Sequence, residues 1–77
     1  MTATNDETAW LRGIGKRVKV ARVWADQTQQ QLADRAGLTR NKVSAIERAG
    51  QMVRVFELAR VARATGIPLA DLLDGAP

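Results

Sequence analysis

The stretch QQQLADRAGLTRNKVSAIE, residues 29 to 47, changes character at Gly37. Beyond it, a helical pattern places polar and small side chains on its outer side. At 100° per residue, with Arg40 as zero, Arg40, Asn41, Ser44, Ala45 and Arg48 fall within an arc of roughly 140°, and Val43, Ile46 and Glu47 are assigned to the inward side. Arginine donates two parallel hydrogen bonds to guanine O6 and N7, asparagine pairs with adenine N6 and N7, and alanine or serine lets a backbone approach base edges. Lys42, at the edge of the arc, suits a phosphate better than a base. A merely solvated face tends to mix charge signs and to carry i,i+4 ion pairs; this arc has two arginines and no acid.

Such a helix needs a rigid mount. Upstream, Trp10 and Leu11 begin an apolar rhythm that Ile14, Val18 and Ala21 continue, giving a first helix with Lys16, Arg17 and Lys19 mostly outside and an end near Trp24. Asp26 tolerates a turn conformation, and Thr28 with Gln31 forms a capping box for a helix over 29–36. Gly37 supplies a positive φ, Leu38 plugs the corner, and Thr39 caps the third helix, which continues to about Arg48 before Ala49 and Gly50 end it. The unusually apolar connection QMVRV follows. Val55, Leu58, Val61 and Ala62 mark a fourth helix stopped by Gly66, and Pro68 opens a short fifth with Leu69, Leu72 and Leu73. Residues 1–9, polar and without periodicity, read as a flexible arm on a single domain spanning 10–77. No strand pattern or repeat occurs, so the expected class is all-α, five short helices around one core. Helix, glycine turn and helix have the spacing of a helix-turn-helix.

Composition narrows the chemistry. With 77 residues there is one core near the lower size limit and no room for a separate sensing or catalytic domain, so no small-molecule ligand is expected. Self-association would hide leftover apolar surface. Phe56 lies off the inward face of the fourth helix and could form a patch with Leu69 or Leu73; alternatively these residues close the core. The absence of cysteine and histidine excludes disulfides and zinc staples, and no cofactor or metal is expected. A formal charge of +4 and a pI near 10.7 favour polyanionic partners. No run is long enough to span a bilayer, and Asp6 and Glu7 stand where a secretory signal has basic residues, so the expectation is a cytoplasmic protein with no membrane partner. An enzyme is not expected: GIGKR, residues 13–17, lacks the spacing of a phosphate-binding loop and reads as a helix start, and Ser44, the only serine, has no histidine to activate it.

The stretch TQQQLADRAGLTRNKVSAIER, together with IPLADLL near the C-terminus, resembles the helix-turn-helix of the Cro/phage-repressor, or Xre-like, family from about Ile14 to Leu73. The resemblance implies that family's five-helix, lambda-repressor-like fold and operator binding, usually as a homodimer on a near-palindromic site. It implies a phosphate contact for Gln29 at the start of helix two, base-reading positions at Arg40, Asn41 and Ala45, and an ion pair between Arg22 and Glu47 tying helix one to the recognition helix. A further backbone phosphate contact falls near Gly50, Gln51 and Arg54. The sequence departs from the family where Asp26 and Gln27 replace a glycine and an apolar plug, a gap that Trp24 is expected to fold back and fill, and where Ala49 and Val53 replace a glycine and a proline.

The function expected is sequence-specific binding of a double-stranded DNA operator by a homodimeric transcriptional regulator, a phage-type repressor or a restriction-modification controller. Arg40, Asn41, Ser44 and Ala45 would read bases; Gln29, Thr39, Lys42, Arg48, Gly50, Gln51 and Arg54 would hold phosphates. The alternative is an antitoxin-like protein-interaction module with secondary DNA binding, using Trp10, Leu11, Met52, Val53 and Phe56.

Overall fold

The computed structural model describes residues 5–49 and 53–74. Those residues form α1 (Asn5–Trp24), α2 (Gln29–Ala36), α3 (Arg40–Ala49), α4 (Val55–Thr65) and α5 (Leu69–Leu72), with no strand among them. None of these helices is long and apolar enough to cross a membrane.

The helix ends follow local chemistry. Thr28 Oγ1 accepts from Gln31 N at 3.1 Å while Gln31 Oε1 accepts from Thr28 N at 2.8 Å, closing the capping box of α2. Gly37, at φ 69°, turns the chain out of α2, and Leu38 N donates back to Ala33 O at 2.9 Å. Thr39 then caps α3, its Oγ1 accepting from Lys42 N at 3.1 Å. Gly66, at φ 77°, ends α4 in the same left-handed way.

The first helix differs from expectation at its start. It begins at Asn5, so Asn5 to Ala9 are helical where an arm over 1–9 was expected, and GIGKR lies mid-helix. Asp6 and Glu7 in the first turn complement the positive end of the helix dipole, and Trp10 Nε1 donates to Leu73 O at 3.2 Å, tying this end of α1 to α5.

One core serves all five helices. Ile14 and Val18 of α1, Leu32 of α2, Val43 and Ile46 of α3, Leu58 and Val61 of α4 and Leu72 of α5 are all buried in it. Trp10, Leu11, Leu38, Val53, Leu69 and Leu73 pack partly buried against it. Val55, expected to face inward, is 78% exposed at the first position of α4, where the chain has only begun to enter the helix.

The gap before α2 is filled by a different residue from the one expected. Trp24 does not fold back; it is 82% exposed. Asp26 adopts φ 58°, and the chain then directs Gln27 inward, where its side chain is buried and its Nε2 donates to Ala64 O at 2.9 Å. A polar side chain thus plugs the corner between α1 and α4.

The seam between α1 and α3 fixes the recognition helix. Gly15 makes it possible: a Cβ there would fall inside contact distance of the Ile46 carbonyl oxygen and 2.9 Å from that of Glu47. Two residues earlier, a Cβ on Gly13 would meet only the guanidinium of Arg17, 3.2 Å away at the end of a long side chain rather than on backbone. Alanine is the better helix former by about 1 kcal/mol, so the two sites should respond oppositely. Gly13→Ala is expected to leave thermal stability unchanged or raised. Gly15→Ala should lower it by roughly 1 to 3 kcal/mol through overpacking against backbone, a fall of several degrees in Tm; equal Tm changes for the two variants would refute the close approach.

Candidate nucleic-acid interface

Glu47 is the polar anchor of α3. Arg22 Nε donates to its Oε2 at 2.7 Å and Arg22 Nη2 to its Oε1 at 3.2 Å, while Arg22 Nη1 donates to Gln27 O at 2.8 Å. The Glu47 side chain is 4% exposed and that of Arg22 14%. A carboxylate so buried requires compensation, and here a bidentate guanidinium supplies it. Gln29 Nε2, from the first residue of α2, also donates to Glu47 Oε1 at 3.2 Å. Three helices therefore meet on one carboxylate. Glu47 lies about 20° from Arg40 around the helix, beside the outer arc rather than behind it; its inward burial comes from Arg22 and Gln29, not from its angular position.

The arc itself faces out. Arg40, Asn41 and Arg48 are exposed, and Ser44 and Ala45 are half-buried between them, whereas Val43 and Ile46 behind them have no exposure. Guanidinium and amide donors thus project from a helix whose opposite side is fixed by packing. Small residues between them leave its backbone approachable.

The structure separates the remaining candidates. Thr39 is exposed with its hydroxyl capping α3. Lys42, expected at a phosphate, sits 3.3 Å from Glu57 Oε1 and links α3 to α4. Gln29 shares one amide hydrogen with Glu47 and retains a second N–H. Arg54, exposed, precedes α4, its backbone N donating to Glu57 Oε1 at 2.9 Å. Gly50, Gln51 and Met52 lie outside the described residues. Of the candidate dimer residues, Leu69 and Leu73 pack against the core, and Phe56 alone is exposed, half of it, with the Arg60 guanidinium 5.1 Å over its ring. Trp10, Leu11 and Val53, candidates for a protein-interaction surface, are likewise packed against the core.

Glu57 and Gly15 support the site without having been singled out in the sequence, and Gln27 figures there only as a departure from the family's apolar plug. A glycine in mid-helix was the one local signal, since it costs stability unless close packing requires it. The pairing of Lys42 with Glu57 joins different helices and leaves no periodic trace.

Burial of Glu57 acts to raise its carboxyl pKa. The hydrogen bond from the Arg54 backbone, the hydrogen bond and charge of Lys42, and the charge of Arg54 outweigh that and hold it below the ordinary glutamate value. Because the folded-state value is depressed, the stability contributed is fully present above the unfolded value of about 4.3 and is lost as pH falls through the folded one. Glu57→Gln should therefore flatten the acid limb of a stability-versus-pH curve below about pH 4.3. Superimposable acid limbs for parent and variant would remove Glu57 from this role. For Glu47, truncation to Ala should cost about 3 to 5 kcal/mol by leaving Arg22 buried without its carboxylate. An Arg22→Met/Glu47→Leu double variant should recover much of that loss in chemical denaturation, and an additive double loss would argue against direct coupling.

Comparison with known proteins agrees with this architecture. The sequence matches the family described as helix-turn-helix domain over residues 14–74. The crystal structure of the restriction-modification controller protein C.AhdI from Aeromonas hydrophila superposes with a TM-score of 0.78 at 30% identity, over 83% of this chain and 97% of that one. A point mutant of the restriction-modification controller protein C.Esp1396I superposes with a TM-score of 0.77 at 22% identity, over 84% of each chain, a likeness of fold. None of the curated proteins matches the chain. With its glycine-turned helix pair, its five-helix core and this match over most of its length, the chain belongs to the helix-turn-helix domain family, in its Xre-like form.

Proposed function

We propose that this protein is a sequence-specific transcriptional regulator of double-stranded DNA that inserts α3 into the major groove, as a homodimer on a near-palindromic operator. One observation carries the reading: Arg40, Asn41, Ser44, Ala45 and Arg48 share the outer side of a helix whose Val43 and Ile46 are fully buried. In this reading Arg40 and Asn41 contact base edges, and Ser44 and Ala45 admit the helix backbone. Thr39, Arg48, Arg54 and the second N–H of Gln29 hold phosphates and set register. Lys42 acts from within, bracing α3 against α4 through Glu57. The likeness to C.AhdI favours control of a restriction-modification system as the circuit. Phe56 remains the dimer residue of choice, since it is the exposed one of the three candidates.

Selection of bound sequences from random DNA tests this directly, because a homodimer should enrich a two-fold symmetric motif with half-sites about one helical turn, roughly 34 Å, apart. Arg40→Ala should lose about 1 to 3 kcal/mol at one base position and relax specificity there. Arg48→Ala should weaken all sequences alike and reduce the log-log salt slope by about 0.9. Absence of any enriched motif, or an Arg40→Ala variant with unaltered preference, would exclude α3 as the reader.

A further inference from the structure

The C-terminal half of α1 holds large apolar side chains in water. Val20 and Val23 are each more than half exposed, and Trp24 is 82% exposed. Isolated apolar residues on a surface need no explanation, but Val20 and Trp24 border a depression. Val20, Ala21 and Trp24, with Ile67 and Leu72 across from them, line an apolar groove of about 290 Å³ between α1 and the segment leading from α4 into α5. Lys16 and Arg17 line its α1 side and Asp71 its α5 side. Arg17 Nη1 is buried with no hydrogen-bond acceptor among the described residues.

The groove faces away from the candidate DNA interface. Gly15 marks the side of α1 in contact with α3. Counted from it at about 100° per residue, Lys16, Val20, Trp24, Arg17 and Ala21 span roughly 100° to 240° around the helix, on the opposite side. On α3 the outer arc points away from α1 in turn. Two copies joined through this groove would aim their arcs in opposite directions and could not face one duplex, a step that rests on the DNA-binding reading above.

We infer that the groove is a docking site for the apolar face of an amphipathic helix from a different protein, and that it is accessible while α3 is on DNA. Tryptophan is enriched among the residues that carry binding energy, and Trp24 is held ready at the groove's edge without needing release from the core. Charge selects the partner. Lys16 and Arg17 favour acidic side chains along one flank of the incoming apolar stripe. The net charge of +4 acts in the same direction over longer range.

The test uses two helical peptides with one leucine stripe at i, i+3, i+4 and i+7, flanked by Glu in one and by Lys in the other, added to the full chain free and bound to DNA. The indole N–H resonance of Trp24 reports on the groove, and that of Trp10, bonded to Leu73 O, serves as the internal reference. The Glu-flanked peptide should shift Trp24 and the amides of Val20 and Ile67 in both states and leave Trp10 in place. Trp24→Ala should weaken that binding at least about tenfold with Tm and DNA affinity unchanged, and Lys16→Glu should reverse the preference between peptides. The proposal is overturned if neither peptide moves Trp24, if both bind equally, if Trp24→Ala has no effect, or if the Trp24 signal shifts with protein concentration alone, which would make the occupant a second copy. DNA affinity measured on the same samples separates these failures from failure of the DNA-binding reading.

Discussion

Glu47 gives α3 a single seat. Its carboxylate is gripped by Arg22 from α1 and touched by Gln29 from α2, on the same turn where Gly15 lets α1 press against the α3 backbone. A buried charge held by two directional partners tolerates little rotation of its helix, because any turn that separates the carboxylate from the guanidinium leaves both uncompensated in a poorly solvated place. Hydrophobic packing of Val43 and Ile46 favours burial of that side of the helix but is non-directional. The ion pair supplies the direction. Rotation about the α3 axis is the motion that would spoil the presentation of Arg40 and Asn41, and the seam resists that motion.

The polar residues of the interior serve the same purpose at other points. Gln27 spans the corner between α1 and α4 through Ala64 O, and its own carbonyl accepts from Arg22 Nη1, so the guanidinium that holds Glu47 also holds the turn before α2. Its Oε1 is buried without a hydrogen-bond partner among the described residues, a cost an apolar side chain would avoid. What the glutamine adds is connection: the turn, the ion pair and α4 share one network of hydrogen bonds, and the orientation of α2 is coupled to that of α3 through Arg22.

Local signals were legible in the sequence, and signals that depend on two elements meeting were not. Thr28, Gly37, Thr39 and Gly66 each act within a few residues through a cap or a left-handed turn, and the boundaries of α2, α3 and α4 follow from them to within a residue. The outer arc of α3 was legible because Val43 and Ile46 set a helical period. The start of α1 was hidden, since Asn5 to Ala9 have no apolar rhythm and owe their helicity to the dipole and to the anchor at Trp10. Which side chain fills the corner before α2 depends on where Asp26 sends the chain, and composition favoured the tryptophan over the glutamine for a site that packing gave to the glutamine. The Arg22–Glu47 pair was reached through family resemblance alone, and nothing local hinted at Lys42 with Glu57.

Acids and bases around α3 are divided by role. Glu47 on α3 and Glu57 on α4 are both engaged, Glu47 by Arg22 and Glu57 by Lys42 and the Arg54 backbone. Arg40 and Arg48 form no ion pair among the described residues. The positive charge of the outer arc is therefore not cancelled by nearby acid, because the acids that could have cancelled it are engaged in holding the helix to its neighbours. Lys42 follows the same division, since its ion pair with Glu57 braces α3 against α4. Rigidity and field thus come from one arrangement. Charges that hold the helix are paired inside, and those that a polyanion would meet are left exposed.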